Sequence, residues 1–389
     1  SIDDVSSQFN SYPRPTAYSI IERFPLSEMR ARKFITYVQD QRYTAQRQLM
    51  LVDLIHDDSM GYMNQYARLE SVYDQGSFDF KITGTEGELL FYPTKSSVND
   101  YWVTALSYNL DDNILGVGTT SIGGVSLVET HSTSIPTGTT TTIVGIASTY
   151  SSAKILVEVT PDISMNDNEF EFVELNIVHN GTNVEMLEYG RLTTNLGGSP
   201  SAGYGTYWPY LDGSSLKVDF IPNAGIGTTA AINTITVGLA NSSYTGIGTV
   251  QMKHARLESV TTTIASSGSP TENVICEYED VYDAGYFIVQ VCDKTNNEYQ
   301  LSEVAVVDNY VSGSGDTYDV EWANIETSSG LGTIGSRLNG STVELVFTPL
   351  PSIDAEVNVF MNALRIQDDS VDEISFNNGS IRSGFGEYE

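Results

Sequence analysis

The stretch QLMLVDLIHDD, residues 48–58, has two readings. Taken with its surroundings, LSEMRARKFITYVQDQRYTAQRQLMLVDLI (26–55), it passes for a helix: Ser27 stands as a cap, Glu28 follows, and Arg, Gln and Ala favour helix. Two further stretches overrule that reading. EFVELNIVHNG (171–181) and QLSEVAVVDNY (300–310) superpose on it without a gap, so that Leu49, Phe172 and Leu301 coincide, as do Val52, Leu175 and Val304, then Leu54, Ile177 and Val306. Over the wider aligned copies, 154–178 and 286–307, the sequence is more β-branched and carries Pro161 and Asn clusters, which makes all three strands.

The repetition extends in both directions. KFITYVQD (33–40), KILVEVTP (154–161) and YFIVQVCD (286–293) precede the three copies. An aromatic, a small residue and an aliphatic two further on follow them: Tyr66/Ala67/Leu69, Tyr189/Gly190/Leu192 and Trp322/Ala323/Ile325. Next comes a strand closing in Phe-x-Pro, with Phe91 before Pro93, Phe220 before Pro222 and Phe347 before Pro349, then an apolar run ending at Leu106, Leu239 and Leu364. Pro93 to Pro222 is 129 residues and Pro222 to Pro349 is 127, the span of a whole domain and not of a solenoid turn.

Short strands with Asn, Gly and Asp turns at this period predict an all-β chain of three tandem antiparallel β-sandwich modules, Ig-like or jelly-roll-like, at residues 1–110, 111–240 and 241–389. The Phe of Phe-x-Pro should fill the space between sheets, and the Pro, which cannot donate to a ladder, should end its strand at a sheet edge or corner. The Thr/Gly-rich stretches at 116–148 and 246–270 read as an edge strand plus turn, and the tail 374–389 as the same strand closing the last module. Three modules on short connections predict a rod.

Fifty acidic against 19 basic residues give a formal charge of −31, which repels nucleic-acid phosphate and anionic membrane, and no apolar run is long enough to span a bilayer. Cys276 and Cys292 are expected as free thiols on neighbouring strands of a hairpin around YDAG. His56 and His179 are repeat-equivalent but Asp308 replaces them in the third copy, as suits a strand-end turn. No nucleophile elbow, phosphate loop or zinc-helix motif is present, and GVGTT (116), GIGTT (225) and GLGT (330) read as turns. The acidic clusters at 53–58, 162–171 and 367–373 match no calcium loop. No catalytic residue, cofactor or metal is therefore expected.

Two surfaces stand out. YGTYWPYLDG (204–213) reads as an aromatic insertion found mainly in the second copy, offering Tyr204, Tyr207, Trp208 and Tyr210 as a contact surface. The first module is the most divergent and the richest in Arg, so Arg30, Arg32, Lys33, Arg42 and Arg47 are expected to anchor it to a partner.

GVGTTSIGGVSL, TTTTIVGIASTYSSAKILVEVTPD, FIPNAGIGTTAAINTITVGLANSS, YDAGYFIVQVCDKTNNEYQLSEVAVV and VELVFTPLPSIDAEVNVFMNALRI resemble stretches of virion structural proteins of marine tailed phages, notably contractile-tailed cyanophages similar to T4. The resemblance spans roughly residues 111–389. It implies a non-enzymatic particle component, a tail or neck fibre, baseplate element or capsid decoration, assembled in the host cytoplasm and carried on the extracellular particle. Its partners would be other virion proteins, with self-association among the expectations. The alternative reading is a bacterial surface adhesin of Ig-like modules, which requires an export signal or cell-wall anchor in the full gene.

Overall fold

The computed structural model describes residues 18–27, 30–94, 101–110, 116–136, 138–161, 170–194, 203–223, 229–240, 248–279, 281–311, 313–365, 373–376 and 379–388. Among them are 27 β-strands and no helix. The strand reading of 26–55 holds. The first module contains β1 (Ser19–Pro25), β2 (Ala31–Asp40), β3 (Arg47–His56), β4 (Gly61–Glu70), β5 (Gly76–Thr83), β6 (Glu86–Pro93) and β7 (Tyr101–Leu110). The second contains β8 (Gly116–Ile122), β9 (Ser126–Pro136), β10 (Thr141–Ala147), β11 (Tyr150–Pro161), β12 (Glu171–His179), β13 (Val184–Thr193), β14 (Gly205–Asp212), β15 (Ser215–Pro222) and β16 (Thr229–Ala240). The third contains β17 (Gly248–Gln251), β18 (Ala255–Ile264), β19 (Asn273–Glu279), β20 (Ala284–Asp293), β21 (Glu298–Asp308), β22 (Thr317–Glu326), β23 (Gly332–Asn339), β24 (Thr342–Pro349) and β25 (Ala355–Leu364). The last two strands are β26 (Glu373–Phe376) and β27 (Gly379–Tyr388).

Each module is a three-stranded sheet laid on a six-stranded one. The three-stranded orders are β1-β6-β5, β10-β15-β14 and β19-β24-β23. The six-stranded orders are β26-β27-β7-β2-β3-β4, β8-β9-β16-β11-β12-β13 and β17-β18-β25-β20-β21-β22. Strand for strand they are the same. β8 and β17 are edge strands of the sheets that follow them, as predicted for the Thr/Gly-rich stretches, but each stretch also supplies an inner strand, β9 or β18, and the first stretch adds β10 to the three-stranded sheet. The tail does not close the last module. β27 pairs with β7, from Gly379↔Leu110 to Tyr388↔Tyr101, and with β26, so these two strands complete the first module and the chain closes on itself.

The repeated sequence features each have a structural cause. Gly76, Gly205 and Gly332 pair with Pro93, Pro222 and Pro349, and the ring of the preceding Phe lies across each Gly. A Cβ on Gly205 would sit 2.3 Å from the Phe220 ring and 2.6 Å from the Ile221 carbonyl oxygen. The Pro ends a central strand, beyond the reach of one neighbour, since β1 extends only to Phe91 along β6. Gly205→Ala should therefore cost about 1–3 kcal/mol by overpacking. Gly145→Ala, with nothing within 4 Å, should stay within about 0.5 kcal/mol. Urea titration of the two variants compares them directly.

The small residue after the aromatic marks a β-bulge. Ala67, Gly190 and Ala323 have φ of 49°, 64° and 51°, and at each the register of strand pairing slips by one. The bulge re-aims Tyr66, Tyr189 and Trp322. Gln48, Glu171 and Gln300 fasten the two layers alike, each accepting the backbone N–H just before the paired Gly: Gln75 at 2.8 Å, Tyr204 at 2.8 Å and Leu331 at 2.9 Å. At the end of the same strand, His56, His179 and Asp308 each accept the N–H two residues on, the strand-end turn role expected of them.

Alternate residues of one strand serve two cores. Met50, Val52 and Leu54 face the three-stranded layer of their own module, whereas Leu49, Leu51 and Ile55 join a cluster shared by all three modules. Both faces of the six-stranded sheets are buried, which is why these strands read as near-continuous apolar runs. The modules are therefore not strung as a rod: each closes its own core and all three close a fourth. The accessible surface of 15475 Å² matches the roughly 15,000 Å² of one compact body of this mass, against about 20,000 Å² for three separate modules.

Both cysteines are free and buried, but not on one hairpin. β19 and β20 lie in different sheets; Cys276 sits in the third module's own core and Cys292 in the shared one. Burial pushes their thiols up to about 12 and about 11.

Candidate functional site

Where the three inner sheets meet, a set of buried charged side chains repeats with a cyclic offset. Position 33 is Lys33, Lys154 and Tyr286 in the three modules, and position 51 is Leu51, Glu174 and Glu303. Lys33 of the first module donates to Glu174 of the second at 2.8 Å, and Lys154 of the second to Glu303 of the third at 2.9 Å. Tyr66 and Tyr189 donate to the same two glutamates. Asp53 faces Glu174, and its equivalent Asn176 donates to Glu303 at 2.9 Å.

The third junction, from the third module back to the first, changes every member of the set together. The acceptor is Leu51; opposite it Lys becomes Tyr286, Tyr becomes Trp322, and Asp/Asn becomes Ala305. The Tyr286 hydroxyl turns instead to Glu303 of its own module, at 2.5 Å. A buried acceptor without donors, or a buried cation without an acceptor, costs several kcal/mol, so loss of the glutamate removes the reason for every donor around it.

The same correspondence fixes the proton on Asp53. Asn176 gives Glu303 an N–H, and Asp53 can give Glu174 a hydrogen bond only as a carboxylic acid. Burial and the neighbouring Glu174 hold the Asp53 carboxyl well above the usual carboxylate range, with Lys33 at 3.5 Å opposing them. For Glu174 burial acts upward, but Lys154 and Lys33 outweigh it and hold the carboxyl low. Burial likewise lowers the Lys33 ammonium's pKa, while the carboxylates of Glu174 and Glu303 act upward and its pKa stays raised. With Asp53 neutral, two lysines balance two glutamates. A cavity of about 10 Å³ beside them, lined by Lys33, Tyr108, Lys154 and Tyr286 among others, has room for at most one water.

Asp53→Asn tests the assignment. A folded-state pKa above the unfolded value means the native protein holds this proton over a window starting near pH 4, and stability falls as pH rises through that window. The Asn variant lacks this slope. It should fold normally and gain on the wild type by about 1.4 kcal/mol per pH unit across the window. Parallel denaturation curves from pH 5 to pH 8 read this directly; a constant difference would place a charged Asp53 on the axis.

The basic set read from the sequence turns inward. Arg32 is buried, 3.7 Å over the Phe24 ring and paired with Glu22 at 2.5 Å. Lys33 is on the axis. Arg30 reaches Asp58 and stacks on Phe170 of the second module at 4.8 Å. Arg47 crosses to the third module, bonding Asp308 at 2.5 Å and the Tyr310 carbonyl at 3.0 Å. Only Arg42 is exposed. These residues do anchor the first module, but mostly to itself and its two sister modules.

The aromatic set also divides. Residues 205–212 are no insertion: β14 is the counterpart of β5 and β23. Tyr207 points inward onto Phe220 and donates to Glu171 at 3.2 Å. Tyr204 and Tyr210 are half-buried, Tyr210 donating to Asp219, and of the four only Trp208, 62% exposed, is open to solvent. GVGTT begins strand β8 and GLGT leads into β23; neither is a turn, and most of GIGTT lies outside the described residues. Asp57 caps its own turn through the Ser59 and Met60 N–H groups, while the other two acidic clusters lie almost wholly outside the described residues. Among the described residues no three His, Cys, Asp or Glu converge as metal ligands.

The fold and axial network define an all-β body of three repeat-related sandwiches closed about a pseudo-threefold axis. No protein-family profile matches the chain, and no curated protein matches its sequence.

Proposed function

We propose that this chain is a non-enzymatic virion structural protein that serves as a compact decoration or adaptor and docks on other proteins of the particle. The observation that carries the reading is the use made of the buried ionisable side chains. Lys33, Lys154, Glu174, Glu303 and Arg47 are spent fastening one module to the next, as suits a rigid building block. The sequence resemblance to phage virion proteins supports the same reading. A closed ring of three sandwiches favours a decoration or adaptor over a slender fibre. Such a body presents three related flanks, which suits a mount of threefold or approximate threefold symmetry. The charge of −31 keeps copies apart and favours a basic mounting surface.

Imaging purified particles with the full chain labelled tests the reading. A discrete globular density bearing the label is expected; absence of the chain from purified particles would overturn it.

A further inference from the structure

Two of the module junctions are closed by equivalent hairpin loops, but their outer surfaces differ. At the junction of the second and third modules the facing loops are polar. Asn180, Gly181, Thr182 and Asn183 meet Lys294, Thr295, Asn296 and Asn297, joined by Asn297 donating to the Asn180 carbonyl at 2.6 Å. At the junction of the third and first modules two loops converge on one guanidinium and a third loop adjoins them. Arg47 donates to the carbonyls of Thr44 and Tyr310, both at 3.0 Å, and the Ser71 hydroxyl donates to the neighbouring Ala45 carbonyl at 2.6 Å. Each loop carries a large apolar side chain into solvent: Tyr43 at 47% exposure, Val72 and Tyr73 at 46% and 55%, and Val311 at 40%. Arg42 lies over the Tyr43 ring at 5.4 Å.

Beneath this patch the backbone is held firmly. Asp40 accepts the N–H groups of Arg42 and Tyr43 at 2.8 and 2.9 Å, and Arg47 is itself buried. Tyr and Arg presented on a rigid base are the residue types that dominate binding energy at protein interfaces, because they bring large contact area for little lost side-chain freedom.

We propose that this junction patch, Tyr43, Val72, Tyr73 and Val311 with Arg42, is the face by which the chain docks, resting on the virion-protein reading above. The occupant is a partner protein surface that is apolar at its centre, offers a carboxylate to Arg42, and is basic around it. Charge complementarity selects that occupant: a second copy would bring another −31 against the first, whereas a basic surface is drawn in and the attraction fades with salt.

The test uses particles assembled without this chain as the probe and the purified full chain as ligand, in a co-sedimentation assay at two salt concentrations. Wild type and Trp208→Ser should bind alike and more weakly at high salt. Tyr43→Ser/Tyr73→Ser should lose at least tenfold in affinity, and Arg42→Glu should lose affinity with unchanged thermal unfolding. Equal binding by the double variant, or loss confined to Trp208→Ser, would overturn the patch and leave the virion reading standing. Failure of the wild type to bind at all would overturn both.

Discussion

Lys154→Met is expected to lose about 3–5 kcal/mol of stability at neutral pH, the cost of breaking a buried pair from one side. Lys154 lies between Glu174 and Glu303, all three buried, and with Asp53 neutral only Lys33 would remain to balance two carboxylates. One glutamate must then take up a proton that the unfolded chain does not hold at pH 7. The deficit should accordingly shrink as the pH is lowered toward 5, because a carboxyl raised in the folded state stabilises below its unfolded pKa and loses that contribution as the pH rises. Glu174→Gln should cost less. Asp53 can then ionise and pair with Lys33, 3.5 Å away, while Lys154 keeps Glu303. Guanidinium unfolding of the two variants gives the order directly. Equal losses would mean that Asp53 is not a reserve of charge and that the axial network is misassigned.

Removal of residues 366–389 is expected to damage the first module selectively. β27 covers the whole of β7, and its loss leaves the backbone groups that β7 turns toward it without partners at the edge of a sheet. The second and third modules keep their covering hairpins, which lie within the chain. Differential scanning calorimetry should resolve an early transition at least ~10 °C below the wild-type midpoint, the shift that ~2 kcal/mol produces in a domain of this size. The truncated chain should also self-associate as its concentration rises, and a synthetic peptide of residues 373–388 should restore the monomer. A monomer with the wild-type midpoint would show that the pairing of β27 with β7 contributes nothing to closure.

These two experiments bear on different kinds of closure. The lysine substitution acts where side chains of neighbouring modules meet on the axis. The truncation acts on the backbone ladder that brings the end of the chain to its beginning. Asp53→Asn leaves both intact, so its pH profile isolates a single proton.

The strands and their grouping into three related sandwiches were legible because they depend on local pattern. The first copy shows it best: residues 26–55 taken alone pass for a helix, yet alignment of QLMLVDLI with EFVELNIV and QLSEVAVV specifies strand. Phe-x-Pro and the small residue after Tyr66, Tyr189 and Trp322 were likewise visible as repeats. Their partners, a glycine on the neighbouring strand and a bulge facing the axis, were not. Runs apolar on both faces carried a further signal, since a free-standing sandwich would leave one face polar. Lys154 and Glu174 interrupting such runs were the sign that the second face is an interface.

The sequence by itself determined that the chain is all-β and made of three related units, since periodicity and turn chemistry act over a few residues and recur wherever the pattern does. Only the tertiary structure decided that the units form a ring, that the tail completes the first of them, and that the arginines read as an anchor to other proteins chiefly hold the modules together. Those outcomes depend on which surfaces meet at separations of more than a hundred residues, where Lys33 finds Glu174 and Arg47 finds Asp308. A charged side chain carries no local record of whether its partner will be water, another protein or a distant segment of its own chain.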